Sequence, residues 1–168
     1  MLVTVNKYRD LNMRQLMDIC MESCCENGLR DYPSLSEGEQ FFRAQTDLYQ
    51  YLQYDFFQSD DAFCAFWESE GRYVSTLRIE PYRDGVVLSA LETAPSHRGR
   101  GYAKALVGAV LAFLQEHTAL KIYSHIDRKN LASVAVHVSC GFKKTSDCAV
   151  YLDGSVSERA DTYLFTVK

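Results

Sequence analysis

The decapeptide HRGRGYAKAL, residues 97 to 106, sets two glycines and two arginines at the mouth of a helical segment, directly after an apolar run ending at Ala94-Pro95. Glycine lets a backbone approach a ligand closely, arginine suits phosphate, and a helix N-terminus presents unbonded N–H groups to an anion. The chemistry open to this stretch is phosphate binding. A P-loop requires G-x-x-x-x-G-K-[ST], and no such run occurs. A dinucleotide site requires G-x-G-x-x-G in an opening βαβ unit. Here Lys104 stands in place of the third glycine, and the motif falls late in the chain.

The surrounding elements must hold that loop in place. LVTVNKY opens as a strand, and Asp10 is placed to cap a helix in which Leu16, Met17, Cys20 and Cys24 recur at helical spacing. NGLRDYPSLS breaks the pattern, and Ser36 with Glu39 forms a capping box ahead of a second helix over about residues 37 to 57. That helix carries Phe41, Leu48, Leu52 and Phe56 toward a core. Its further aromatics, Phe42, Tyr49, Tyr51, Tyr54 and Phe57, exceed one buried face and serve core packing, a subunit contact or a cleft wall. Three strands follow, AFCAFWE, RYVSTLRIE and VVLSALET, separated by turns at Ser69-Glu70-Gly71 and Arg83-Asp84-Gly85, which reads as an antiparallel meander. A helix from about Gly101 to Gln115 turns Ala103, Leu106, Val107, Val110, Leu111 and Leu114 to one face, with Ala105, Ala109 and Ala112 on a second, as a helix lying flat on a sheet would. The strand LKIYSHI, a helix over about Asn130 to Ser139, and a hairpin of FKKTSDCAVYL and RADTYLFTV turned at Asp153-Gly154 complete the chain. Strand, helix and strand around residues 86 to 126 imply a crossover joining a parallel pair. The fold class is mixed α/β (α+β), with helices on both faces of one sheet.

At 168 residues and 47% apolar content the chain suits one domain with a sizeable core. Its longest uncharged stretch, Asn130 to Phe142, is 13 residues, short of the roughly 18 that a membrane helix needs, so no membrane span is expected. MLVTVNKYRD has no basic segment followed by an apolar one, as a secretory signal would. The six cysteines (Cys20, Cys24, Cys25, Cys64, Cys140, Cys148) form no C-x-x-C pair and no metal-like spacing with His97, His117, His125 or His137. Reduced thiols, no metal and a cytoplasmic setting are the expectation. Charge is unevenly divided: up to Ser96 there are 8 Lys/Arg against 16 Asp/Glu, and from His97 onward 10 against 6. The second half therefore suits an anionic ligand and the first a cationic one. Overall acidity, without a basic stripe, argues against nucleic acid.

Arg98-Gly99-Arg100-Gly101-Tyr102-Ala103 matches [QR]-x-x-G-x-[GA], and in this the chain resembles the GNAT superfamily of N-acetyltransferases. LETAP just upstream stands in the place of that family's fourth strand. NLASVAVHVSCGF downstream resembles its N-x-x-[AS]-x-x-x-[YH]-x-x-x-G-F segment. The resemblance covers about residues 60 to 168, and the first 60 in general layout. It implies a single acyltransferase domain over 1–168: an acetyl-CoA-binding core at 61–168, a strand and acceptor-side helices at 1–60, and a twisted mixed sheet of about six to seven strands. It implies acetyl-CoA as co-substrate, its diphosphate held by Arg98, Gly99, Arg100, Gly101, Tyr102, Ala103 and Lys104, where N–H groups and a helix dipole converge. The pantetheine would lie between the strand ending at Thr93 and KIYSHI, bonded by peptide groups near Leu91 and Thr93, with a backbone N–H there as oxyanion donor. Asn130 and Ser133 would lie along the cofactor arm, Asn130 equally serving as a helix N-cap.

The implied reaction is direct attack of an amine on the acetyl thioester in a ternary complex, without a covalent enzyme intermediate. Glu92 is the leading base, acting through a water, with a structural ion pair as its other reading and Glu80 as the weaker candidate. His137 stands where many family members carry the acidic tyrosine. Its imidazole either donates the proton or lines the cofactor, with Tyr102 and Tyr123 as substitutes, while His125 touches a ligand or packs. The acceptor is a small-molecule or peptide amine, and Glu70, Glu80, Asp84 and Glu92 near the meander suit a cationic one. The assembly is a monomer or homodimer. The missing tyrosine supports an alternative, a non-catalytic CoA-binding or sensing domain.

Overall fold

Period-two alternation in the middle of the chain builds the sheet. In the computed structural model, which describes residues 1–117 and 121–167, β1 (Leu2–Val5), β2 (Phe63–Ser69), β3 (Arg72–Tyr82) and β4 (Gly85–Thr93) pair antiparallel in that order. β5 (Lys121–Asp127) adds parallel to β4, β9 (Ala160–Thr166) antiparallel to β5, and β6 (Lys143–Ser146) forms the far edge of a seven-stranded mixed sheet. The expected meander and parallel crossover pair are both present. Leu120, the expected start of the crossover strand, lies outside the described residues.

Alternation on β2 assigns the two cores. Cys64 and Phe66 face α1 (Met13–Asp31) and α2 (Glu37–Tyr54), while Phe63 and Ala65 face α3 (Tyr102–His117), with α4 (Leu131–Ser139) beside it. On α3, Leu106, Val107, Val110, Leu111 and Leu114 pack against Leu77, Ile79, Leu88 and Ile122. Each such burial is worth about 1.5–3 kcal/mol.

Three local expectations change. α1 is capped by Asn12, whose Oδ1 accepts from the Gln15 N–H at 3.1 Å. Asp10 instead ends a short 3-10 turn, because the core draws in Leu11 before the helix can begin. α2 starts at the capping box, where the Glu39 carboxylate accepts from both N–H and Oγ of Ser36 (3.1 and 2.6 Å). It stops at Tyr54, and a separate turn over Phe56–Gln58 inserts Phe56 into the core. The closing hairpin is divided. β6 pairs with β9, whereas β7 (Ala149–Val150) and β8 (Val156–Ser157) form their own ladder around Asp153-Gly154. A register shift between Lys144 and Ser146 causes the break, and Thr162 Oγ1 holds the diverted strand by donating to the Cys148 carbonyl at 2.7 Å.

The middle of β4 departs most from regular pairing. Arg78 lies opposite Ser89 and Thr76 opposite Glu92, so Leu77 faces both Ala90 and Leu91 across a β-bulge. Ala90 carries φ +50°, a left-handed conformation for a residue with a side chain. Ser75 Oγ re-anchors the strand beyond the bulge by donating to the Glu92 carbonyl at 2.6 Å. On the other side, β4 and β5 pair from Gly85/Lys121 only as far as Leu88/Ser124. Asp84 clamps the closed end, accepting from Lys121 Nζ at 2.6 Å and Tyr123 Oη at 2.7 Å, and these bonds pull its carboxyl down to about 2.

Valine is far less tolerant of positive φ than alanine, and glycine is indifferent to it. Ala90→Val should therefore destabilise by about 1–2 kcal/mol, lowering the melting temperature by roughly 2–8 °C. Ala90→Gly should leave it nearly unchanged. Thermal denaturation followed by circular dichroism checks both.

Candidate active site

Gly99 and Gly101 adopt φ +74° and +80°, and an added Cβ would meet nothing within 4 Å at either. The glycines are required by backbone conformation, and the space beside them is open. α3 takes its first helical bond from Ala105 N–H to the Gly101 carbonyl, so the N–H groups of the first turn have no carbonyl partner within the helix. A cleft of about 820 Å³ opens over this loop and extends along β4 to the start of α4. Leu91, Thr93, Arg98, Gly99, Gly101, Tyr102, Ala103, Lys104, Asn130 and Ser133 line it together. Arg100 is exposed beside the cleft and is not among its lining residues. Free N–H donors, open space at two glycines and the cationic Arg98 and Lys104 fit a diphosphate.

Two polar groups of the cleft are already engaged. Asn130 Oδ1 accepts from the Ser133 N–H at 3.1 Å as the N-cap of α4. Arg98 donates from Nε to the Thr93 carbonyl at 3.1 Å, and its Nη2 lies 2.6 Å from Glu22 Oε2 on α1. Both members of this ion pair are about half exposed, with side-chain exposures of 53% and 52%. The pair is worth at most about 1 kcal/mol and can yield to a phosphate.

A second cavity of about 280 Å³ lies between α1, α2 and the sheet. Leu16, Cys20, Ser23 and Cys24 come from α1, and Ala44, Leu48, Tyr51 and Leu52 from α2. Cys64, Thr76, Arg78, Ala90 and Glu92 come from the strands, with the exposed Asn27, Asp31 and Asp47 at the mouth. Glu92 and Ser23 line both cavities. Around the bulge, Ala90 borders the inner pocket, Leu91 borders the cleft, and Glu92 joins them.

Burial pushes the Glu92 carboxyl above the ordinary carboxylate range, opposed by the polar groups of Ser23 and Cys20 nearby and by the charges of Arg78 and Arg98. Burial also raises the neighbouring thiols, Cys24 to about 11 and Cys20 further still, so both stay protonated near neutrality. Sequence reasoning did not single out Thr76, Arg78 or Ser23. A signal was available in β3, where polar Thr76, Arg78 and Glu80 alternate with apolar Leu77 and Ile79 in the middle of the sheet.

His137 is placed otherwise than expected. Its residue is only 1% exposed, and its neighbour Val136 lines the cleft instead. Nδ1 lies 2.8 Å from the Ser133 carbonyl, so Nδ1 carries a proton. Burial lowers the imidazole's affinity for a second proton, which leaves Nε2 to accept from Ser124 Oγ at 3.1 Å. A neutral ring bonded in this way has no proton to give a leaving group. Ser124 pairs with Leu88 at the last rung before β4 and β5 separate, so the histidine braces that fork.

Of the other candidates, two are engaged by neighbours, one packs and one lines the cleft. Glu80 accepts from Tyr51 Oη at 3.0 Å, and Tyr123 bonds Asp84. His125 packs among Tyr82, Tyr151 and Thr162. Tyr102 lines the cleft, with Oη 3.3 Å from Ser69 Oγ. Among the described residues no cluster of three His, Cys, Asp or Glu is placed to hold a metal, and no helix is long and apolar enough to cross a membrane.

A phosphate-suited loop before a helix, a bulged fourth strand and a fork against the fifth form one arrangement, and residues 14–142 match the acetyltransferase (GNAT) family. The chain belongs to that family. Human N-acetyltransferase 8B is 34% identical over 88 residues, a match taking in 48% of this chain and 39% of that protein. The match therefore spans well under half the length of the relative. The PaiA N-acetyltransferase of Thermoplasma acidophilum, solved in complex with coenzyme A, superposes with a TM-score of 0.67 over 99% of both chains at 12% identity. An N-acetyltransferase from Staphylococcus aureus gives a TM-score of 0.62 at 17% identity, over 100% of this chain and 98% of that one. These structural likenesses concern the GNAT fold.

Because the Glu92 carboxyl is raised in the folded state, the native GNAT domain binds more protons than the unfolded chain above the ordinary carboxylate pKa of about 4.3. Stability contributed at this position falls as pH rises through the raised value. Glu92→Gln removes the titration, so its stability relative to wild type should climb as pH rises from about 4 and level off once the raised ionisation is passed. Urea denaturation across that pH range measures the difference, and a constant offset at all pH values would contradict it.

Proposed function

We propose that this chain transfers the acetyl group of acetyl-CoA directly to a primary amine within a ternary complex. The observation that carries this reading is that Glu92 borders both the phosphate-suited cleft and the pocket under α1 and α2. Residues 1–60 supply most of the acceptor side and 61–168 the donor side of a single acyltransferase unit.

The backbone of Gly99 and Gly101, the first turn of α3, Arg98 and Lys104 would hold the diphosphate, with Arg100 adding charge from beside the cleft. Peptide groups at Leu91 and Thr93, on the β4 edge that β5 leaves unpaired, would hold the pantetheine as an added strand does. Ser133 and the capped start of α4 at Asn130 border the same arm. When bound, acetyl-CoA supplies an electrophilic thioester carbonyl. A backbone N–H of the bulged segment, released from regular pairing, is the oxyanion donor.

Glu92 takes a proton from the incoming amine, directly or through one water. A carboxylate with a raised pKa is a better base near neutrality than one at its ordinary value. Ser23 and Cys20 of α1 line the pocket beside it. The protonated Cys20 and Cys24 are poor nucleophiles, which supports direct transfer over an acyl-cysteine route. With His137 withdrawn, the leaving sulfur takes its proton from water in the open cleft.

The placement of His137 also favours a second reading, a domain that binds coenzyme A without turnover. Thiol release from acetyl-CoA across a panel of amines separates the two. For the transferase, Glu92→Gln should lower kcat by about 10²-fold while acetyl-CoA affinity is retained. Wild-type kcat/KM should rise with pH through the raised Glu92 ionisation. Tight binding with no release for any amine supports the sensing domain. Glu22→Gln, which frees Arg98, should tighten coenzyme A binding by about two- to fivefold at low salt, an effect that fades at high salt. Calorimetric titration reads it.

A further inference from the structure

The inner pocket holds two hydrogen-bonding groups that the protein leaves unused. Thr76 is 2% exposed, and its Oγ1 is buried with no partner among the described residues. Arg78, two residues along the same face of β3, has a buried Nε that is likewise without a partner among them. Among the described residues its guanidinium forms no ion pair within 4.0 Å, and its close neighbour is the Tyr51 ring, 5.1 Å from centroid to Cζ. A half-buried cation and a buried hydroxyl with nothing to bond are costly, and both border a cavity large enough for a small ligand. Two adjacent donors, one of them a guanidinium N–H, match the two oxygens of a carboxylate.

Strand register locates these donors relative to Glu92. Thr76 lies directly opposite Glu92, and Arg78 opposite Ser89, on the far side of the bulge. Directly opposed residues on antiparallel strands have Cβ atoms about 5 Å apart. A ligand presenting an ammonium group to Glu92 and a carboxylate to Thr76 and Arg78 thus needs its charges close together, as in an α- or β-amino acid. Leu16, Ala44, Leu48 and Leu52 give the wall an apolar stretch that suits an apolar side chain, while the polar Asn27, Asp31 and Asp47 stand at the mouth.

We infer that the acceptor is a zwitterionic amino acid with an apolar side chain, its carboxylate held by Arg78 Nε–H and Thr76 Oγ1–H and its amine by Glu92. This deepens the acetyl-transfer reading and rests on it. The ammonium group first gives a proton to Glu92, and the freed amine nitrogen then forms the new N–C bond to the acetyl carbon and loses its second proton to water. The C–S bond breaks, and its electron pair leaves with sulfur, which is protonated from water. The products are an N-acetylated amino acid and free coenzyme A.

The test compares leucine with isoamylamine, the same molecule without its carboxylate, in wild type, Arg78→Gln, Arg78→Lys and Thr76→Val. Acetyl-CoA affinity serves as the folding control. Wild type should favour leucine at least tenfold in kcat/KM. Arg78→Gln should reduce that ratio at least tenfold through the KM for leucine, Arg78→Lys should restore part of it, and Thr76→Val should reduce it severalfold. Equal or better use of isoamylamine by wild type, or a ratio untouched by Arg78→Gln, overturns the inference. Calorimetric binding of leucine to the coenzyme A complex gives a readout independent of turnover. Carboxylate-dependent binding lost in Arg78→Gln supports the subsite even if no acetyl transfer occurs, and absence of leucine binding to wild type overturns it.

Discussion

Everything in the candidate site hangs on one irregularity of backbone pairing, the bulge that sets Ala90 and Leu91 against the single Leu77. A regular strand would send successive side chains to opposite faces of the sheet and keep its peptide groups in the ladder. The inserted residue bends β4 at the level where β5 ceases to follow it. Both cavities open at this bend, with Ala90 bordering one, Leu91 the other and Glu92 both. The conformation is strained at Ala90, and the strand is held to it from both ends. Asp84 pins β5 below, and Ser75 ties the Glu92 carbonyl above.

Electrostatics in the site are those of incomplete pairing. A folded protein tends to match buried charges, yet among the described residues Glu92 has no salt-bridge partner and Arg78 has an aromatic face without a carboxylate. The charges act on each other across the pocket, since Arg78 and Arg98 both lower the proton affinity of Glu92 against the larger effect of burial. Unpaired groups of this kind are ordinary at functional sites and unusual elsewhere. The residues expected to take part in chemistry and found engaged by neighbours, His137, Tyr123 and Glu80, have become parts of the scaffold.

The phosphate-suited loop of this protein was legible in its sequence because its signals are local. A left-handed glycine, a helix start and an arginine two residues before it all lie within a single turn of chain, so HRGRGYAKAL conveys its chemistry without reference to anything distant. The meander, the crossover pair and the capping box at Ser36 are equally short-range. Misreadings occurred where a distant contact overrode a local preference. Asp10 is a good N-cap, but the core draws in Leu11 and moves the helix start to Asn12. The last hairpin alternates well enough for two long strands, but a register shift and the Thr162 bond to the Cys148 carbonyl divide it.

By itself, the amino-acid sequence determined the class of fold, the order of its elements and the loop suited to a diphosphate, since periodicity, turn residues and motif spacing are properties of neighbours along the chain. Only the tertiary structure decided which side chains face an open cavity. Whether His137 carries a transferable proton depends on Ser124 and the Ser133 carbonyl around it, and on burial that no spacing rule reports. Whether Arg98 is free depends on Glu22, 76 residues earlier in the chain. The inner pocket is assembled from two helices and three strands that meet only in the folded state, so what Thr76 and Arg78 face is settled only when α1 and α2 close over them.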